Sequence, residues 1–394
     1  MSAGARRGDA LAAAAAMVAI GWGANQFAPL VVMYQEVAGV GETAAQTMFV
    51  LYAVGLVPGL FLGGPLSDRF GRRVVVLVAL AASLAATSLL VAGAVGAGWL
   101  YAGRLLAGLA SGAGFSAGTA WVKEASPAGR GPRTAVIAMT AGFGLGPLVA
   151  GLVAASAEHP QVVTYLPHLA ITLLALGLVL SRPRTPPVNT LETPVASALD
   201  PGMWTLPQAR RVIVPLAPWV FLTASVALAV LPGAASGPGA ERDLTFAALI
   251  TSIPALAGIS AQSFARHLRG LRDEIVGGLA LATLGLAVGA WAIAATSLAT
   301  AFVAAIILGF SYGMCQAAGL SEVARLSPPQ RLGRNTAFYQ SLTYLGYMAP
   351  LPITVLARWV DLTTILLALA ALAVVTAVAV AGHLTRAGDL TAAR

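Results

Sequence analysis

Apolar residues run through this chain in long, nearly unbroken stretches separated by short polar segments rich in arginine, glycine and proline. A helix needs about 20 such residues to cross a hydrocarbon core of ~30 Å. On that ruler the pattern predicts twelve spans, near 10–33, 43–66, 74–95, 99–121, 134–156, 162–181, 212–234, 244–265, 275–295, 298–320, 336–357 and 362–382. The runs are apolar all round and lack the two-residue alternation of a membrane β-strand. Glycine and proline recur inside them, which membrane helices tolerate better than soluble ones. The expectation is an all-α integral membrane protein with twelve transmembrane helices.

Composition supports this. The 394 residues are 58% hydrophobic and 10% charged, with a mean hydropathy of +0.82, too little charge to cover a soluble surface of that size. One cysteine, Cys315, excludes a disulfide scaffold. The apolar run after Arg6 and Arg7 reads as an uncleaved first helix, because it lacks an obvious small-residue cleavage site.

The net charge of +8 raises the possibility of nucleic acid as a partner, but its distribution points elsewhere. With the N-terminus in the cytoplasm, all but three of the 23 bases fall in the cytoplasmic segments, the exceptions being Arg104, Arg242 and Arg358. Positive residues collect on the inner side, so both termini are expected inside a cell membrane, with the lipid bilayer as the surrounding partner and no nucleic acid. The longest polar stretch, 182–211, carries prolines at 183, 186, 187, 194, 201 and 207. It predicts an N-terminal six-helix bundle (1–181), a cytoplasmic linker (182–211) and a C-terminal six-helix bundle (212–394).

The halves repeat one another. At an offset of 201 residues, Gly108, Gly112, Gly118, Ser126, Pro127, Arg130 and Arg133 meet Gly309, Gly313, Gly319, Ser327, Pro328, Arg331 and Arg334. Equivalent spans share an orientation, so the repeat is parallel. After span two stands Gly64-Pro65-Leu66-Ser67-Asp68-Arg69-Phe70-Gly71-Arg72-Arg73. Gly71 permits a tight turn, and Asp68 can pair with an arginine. This loop closely resembles the G-x-L-A-D-R-x-G-R-K loop of the major facilitator superfamily. The resemblance implies the major facilitator fold, two six-helix parallel-repeat bundles, in which the loop (Gly64, Asp68, Arg69, Gly71, Arg72 and Arg73) latches the halves in one conformational state. The second copy, His267-Leu268-Arg269-Gly270-Leu271-Arg272, lacks the acid.

Two further stretches refine the resemblance. Arg104-Leu105-Leu106-Ala107-Gly108 is similar to the family's R-x-x-x-G element. The stretch from Gly142 to Gly151, with Gly146 and Pro147, resembles the G-x-x-x-G-P-x-x-G-G motif of the drug:proton antiporter branch, with Ala150 in place of a glycine. That likeness implies a kinked span five packed closely on span eight and sealed against proton leak. Small residues at such spacing also serve ordinary helix packing.

No catalytic constellation is present, so no enzyme activity is expected. The histidines 159, 168, 267 and 383 show no metal-ligand spacing, and no phosphate-cradling loop occurs. Neither a metal nor a cofactor is expected. Ionisable residues inside a membrane are functional candidates. Arg104 is the clear one, either snorkelling to the interface or paired with Glu36 at the outer end of span one as a proton-coupling pair. No acid lies at mid-depth in any span. Polar and aromatic residues of the inner spans are substrate candidates: Asn25 and Gln26, then Trp219, Tyr312, Gln316, Tyr339, Gln340 and Tyr344, with Phe221 and Tyr347 nearby. An aromatic and amide lining suits a neutral or amphipathic organic molecule. The expectation is a monomeric secondary active transporter, exporting hydrophobic or amphipathic small molecules by alternating access and coupled to protons. The alternative is an importer or facilitator of a small metabolite or anion on the same fold.

Overall fold

The computed structural model describes residues 3–127, 131–183, 202–235, 243–265, 268, 270–328 and 331–392. Several expectations lie outside them: most of the linker, the His267 and Arg269 positions, and Arg130, Arg184, Arg242, Arg266 and Arg394. All regular structure among the described residues is helical. Helices satisfy every backbone donor and acceptor internally, which an apolar solvent requires.

The chain divides into two compact units: Met1–Thr193 with Asp243–Ser252, and Pro194–Arg242 with Ile253–Arg394. The first holds α1 (Ala3–Asn25), α2 (Phe27–Ala38), α3 (Glu42–Phe70), α4 (Arg72–Ala92), α5 (Gly98–Ala125), α6 (Gly131–Ser156), α7 (Pro160–Val163) and α8 (Leu166–Leu180). The second holds α9 (Val214–Ser225), α10 (Leu231–Ala234), most of α11 (Leu244–Ala265), α12 (Leu271–Ala294), α13 (Leu298–Leu326), α14 (Leu332–Tyr347), α15 (Pro350–Leu356) and α16 (Leu362–Ala392). α9 is flanked by π-helical turns at Ala209–Ile213 and Val226–Val230.

Eleven helical segments among the described residues are long and apolar enough to cross a membrane. The twelfth expected span, 336–357, is helical but broken into α14 and α15 at Met348 and Ala349. Pro350 and Pro352 remove the amide donors of the next turn and crowd the carbonyls before them. The freed Gly346 carbonyl accepts the Ser225 hydroxyl of α9 at 3.1 Å. Span one breaks for the same reason: Pro29 has no N–H for the Asn25 carbonyl, and the helix interrupts at Gln26. The Gln26 amide still donates to the Trp22 carbonyl at 2.9 Å, so the register carries through.

Glycine stripes set the closest crossings. On α5, Gly108 and Gly112 lie against the α3 backbone at Tyr52, Leu56 and Gly59, and a Cβ at Gly112 would come within 2.8 Å of the Gly59 carbonyl carbon. Their repeat mates Gly309 and Gly313 lie against Pro254, Ala257 and Gly258 of α11, where a Cβ at Gly309 would meet the Pro254 Cα at 2.8 Å. The repeated glycines thus do the same work in each unit, admitting backbone-to-backbone packing that any side chain would block.

Candidate functional site

The turn between α3 and α4 is built around Arg72. Gly71 adopts φ 89°, a backbone state that favours glycine, and this turns the chain sharply between the helices. Arg72, buried at the start of α4, pairs with Asp68 one turn back. It also places Nε and Nη2 on one Glu124 oxygen, each at 3.0 Å, and donates to Ser67 Oγ at 2.6 Å. Ser67 in turn donates to the Gly64 carbonyl at 2.8 Å. Arg73 donates to the Val179 and Leu180 carbonyls at 3.0 and 2.9 Å, where a cation suits the C-terminal end of α8. Arg69 lies over the Phe70 ring at 5.2 Å. Glu124, at the end of α5, had no role in the sequence reading. Its nearness to the turn depends on the α3–α5 crossing, and no spacing in the chain signals it.

Arg104 is completely buried, so it does not snorkel. Its Nε, Nη1 and Nη2 donate to the carbonyls of Met48, Ala24 and Phe49 at 3.1, 3.3 and 3.3 Å. Its guanidinium carbon lies 4.7 Å from the Phe27 ring centroid and 4.8 Å from that of Tyr52, an arrangement in which aromatic faces favour the cation. Arg104 therefore binds beside the break in span one, between α1 and α3. Glu36 is exposed near the end of α2.

Asn25 and Gln26 sit at that break. Asn25 is half-buried, whereas Gln26 is fully buried and turned into the first unit, its Nε2 reaching Thr87 Oγ1 at 3.5 Å. Thr87 in turn lies 2.8 Å from His168 Nδ1.

The glycine-rich stretch of α6 corrects one expectation. Gly142 and Gly146 do not face span eight. Their missing side chains make room for α1, where a Cβ at either would meet Trp22 backbone atoms at 2.7 Å, the amide nitrogen for Gly142 and the carbonyl oxygen for Gly146. Gly21 reciprocates, with a Cβ placed 2.7 Å from the Met139 carbonyl. Only Gly151, a turn beyond Pro147, meets the start of α11, at Ala248, and it also lies against Pro29. Helical spacing says which glycines share a face; the choice of α1 as their partner belongs to the assembled bundle.

The second unit gathers most of the remaining candidates. Tyr312 and Gln316 lie one turn apart on α13, and Gln340 and Tyr344 one turn apart on α14, so each pair shares a face. Gln316 Nε2 donates to Gln340 Oε1 at 3.0 Å, and Thr343 donates to the Gln340 carbonyl at 2.7 Å. Phe221 of α9 stacks on Tyr344 at 4.4 Å and approaches Tyr312 at 5.4 Å and Tyr347 at 6.1 Å. Two candidates stand apart. Trp219 donates to Thr376 of α16 at 3.3 Å, and the fully buried Tyr339 directs its hydroxyl to the Cys315 carbonyl at 3.4 Å in space that Gly319 leaves open. Glu322 is buried and held by Arg325, with oxygens 2.6 and 2.7 Å from the guanidinium. Among the described residues no group of three or more metal-ligating side chains converges.

The family model described as Major Facilitator Superfamily matches residues 11–350. No curated protein matches by sequence. Solved structures of the same fold include a D-xylose-proton symporter, with TM-score 0.73 and 17% identity over 95% of this chain and 96% of that one. A mutant of the nucleoside transporter NupG gives 0.72 and 13% over 94% and 98%. An auto inhibited POT family peptide transporter gives 0.75 and 14% over 96% and 97%. At these identities the likeness is one of fold.

Proposed function

The chain belongs to the Major Facilitator Superfamily, a family of membrane transporters, and on that premise we propose that it exports neutral or amphipathic organic molecules in exchange for protons by alternating access. The observation that carries the substrate class is the cluster formed by Phe221, Tyr312, Tyr344, Gln316 and Gln340, in which Phe221 lies against both tyrosine rings and Gln316 donates to Gln340. Flat rings and amides bind apolar bodies with a few hydrogen-bonding groups. The outward direction is supported by the likeness of the Gly142–Gly151 stretch to the antiporter motif. In this reading Arg104 and Glu36 carry the proton coupling. The Gly64–Arg73 turn stabilises one state of the cycle. The protein works as a monomer in the cell membrane with both termini in the cytoplasm and residues 182–211 linking bundles 1–181 and 212–394.

A second reading, import with protons, is favoured by the fold shared with the D-xylose-proton symporter. One experiment separates the two. In proteoliposomes given a panel of neutral amphipathic dyes and metabolites, an acidic lumen drives accumulation by an antiporter, and an acidic exterior drives accumulation by a symporter. Accumulation that ignores the imposed gradient in both arms refutes proton coupling.

A further inference from the structure

We infer that His168 is a positioning residue which, through Thr87, holds the Gln26 side chain with its amide oxygen as the open end, so that the break in span one offers an acceptor to a solute O–H or N–H donor. The inference rests on the reading of the chain as a carrier of neutral organic molecules, and it names the group such a molecule must carry.

The argument follows hydrogens from α8 to α1. His168 is completely buried on α8. Its ring lies against the α1 backbone only because position 23 is glycine: a Cβ there would meet Nε2 at 2.6 Å. Nε2 is 3.1 Å from the Ala19 carbonyl oxygen and 3.1 Å from Thr172 Oγ1. A carbonyl only accepts, so Nε2 carries a hydrogen. The ring's hydrogen-bonding partners are this carbonyl and two hydroxyls, with Ser83 the next polar group beside Gly23. None is charged, and a buried imidazolium without a counter-charge is strongly disfavoured. The ring is therefore neutral and Nδ1 holds a lone pair. Thr87 Oγ1, 2.8 Å away, donates its hydrogen to that lone pair.

Having given its hydrogen to the ring, the Thr87 hydroxyl can only accept from Gln26, and it faces Gln26 Nε2 at 3.5 Å. The amide oxygen is then left over. Gln26 Oε1 is buried and has no hydrogen-bond partner among the described residues. A glutamine amide has nearly the same shape either way round, so contact alone does not choose its orientation. The neutral imidazole chooses it, two residues removed. Arg104 meanwhile takes the Ala24 carbonyl at 3.3 Å, so main chain and side chain at the break are each held from a different helix. An acceptor buried without a donor is costly to keep, and a solute donor meets that need when the break opens.

Two arms test this on the full-length protein in lipid nanodiscs. In the first, ring nitrogens are read by NMR with 15N-labelled histidine, the His168 signal being identified by its loss in His168→Gln. The expected spectrum has one protonated and one bare nitrogen throughout the range of about pH 5–8 in which free imidazole titrates, with the bare nitrogen shifting in Thr87→Val. A ring protonated on both nitrogens, or a bare Nε2, overturns the relay. In the second arm, equilibrium dialysis compares labelled phenol with anisole, its methyl ether, corrected with empty nanodiscs. The wild type is expected to favour phenol about fivefold, the worth of one hydrogen bond. His168→Gln keeps the preference, since an amide accepts from Thr87 and donates to Ala19. His168→Leu and Thr87→Val bring the ratio to about one. A wild type that binds both probes equally, or a His168→Leu protein that keeps the full preference, overturns the acceptor role while the neutral-solute reading stands. A wild type that binds neither probe overturns that reading and the acceptor role together.

Discussion

Replacing Asp68 with asparagine removes one charge from the α3–α4 turn while keeping its shape. The Arg72 side chain is 11% exposed, Asp68 33% and Glu124 49%. A hydrogen bond between charged partners is worth about 1.5–3 kcal/mol, against about 0.5–1.5 kcal/mol when neutral. Asp68→Asn therefore costs about 1 kcal/mol. Glu124→Gln costs about half of that, because water screens the more exposed carboxylate. The double variant leaves a buried guanidinium facing only neutral acceptors and costs about 3 kcal/mol, well above the sum, since a buried charge without a counter-charge is penalised out of proportion. If the turn stabilises one state of a transport cycle, about 1 kcal/mol is a shift of about fivefold in that equilibrium. Initial rates in proteoliposomes, at matched protein insertion, should fall by about that factor in Asp68→Asn with little change in thermal unfolding. Full transport in Asp68→Asn removes the turn from the cycle, and an additive double variant removes Arg72 as the shared partner.

Three further outcomes are expected. Gly142→Ala should lower the unfolding temperature and abolish transport, because its Cβ meets α1 backbone that cannot retreat, whereas Gly177→Ala, whose Cβ would have no atom of the described residues within 4 Å, should be silent in both measurements. Gln316→Leu should raise KM for the transported solute about fivefold with Vmax retained, through loss of the Gln316–Gln340 hydrogen bond, and equal KM values would remove that amide from recognition. Glu36→Gln should flatten the pH dependence of transport, since an uncharged amide imitates the protonated acid at every pH; a pH profile like that of the wild type would dissociate Glu36 from coupling.

The linear chain by itself determined that the protein is built of membrane-length helices, because a bilayer accepts few backbone solutions and demands about 20 apolar residues for each. It also determined the internal repeat and the Gly64–Arg73 turn, whose ten residues are contiguous and whose Gly71 must bend. The two helix breaks were not legible: Pro29, Pro350 and Pro352 each lack an amide hydrogen, but so do Pro58, Pro65, Pro147, Pro218 and Pro254, which stand inside unbroken helices. What faces what was decided by the tertiary structure. Gly142 and Gly146 present a smooth face that would accept any neighbouring helix, and α1 fills it. Arg104 was recognisable as a buried cation in need of partners, but the Met48, Ala24 and Phe49 carbonyls and the Phe27 and Tyr52 rings that it meets were not marked by any spacing along the chain. Glu124 and the Gln26–Thr87–His168 relay join residues 52 to 81 positions apart. Periodicity tells which residues share a helical face, but the neighbour across that face is set by how all the helices pack together, and no local pattern encodes it.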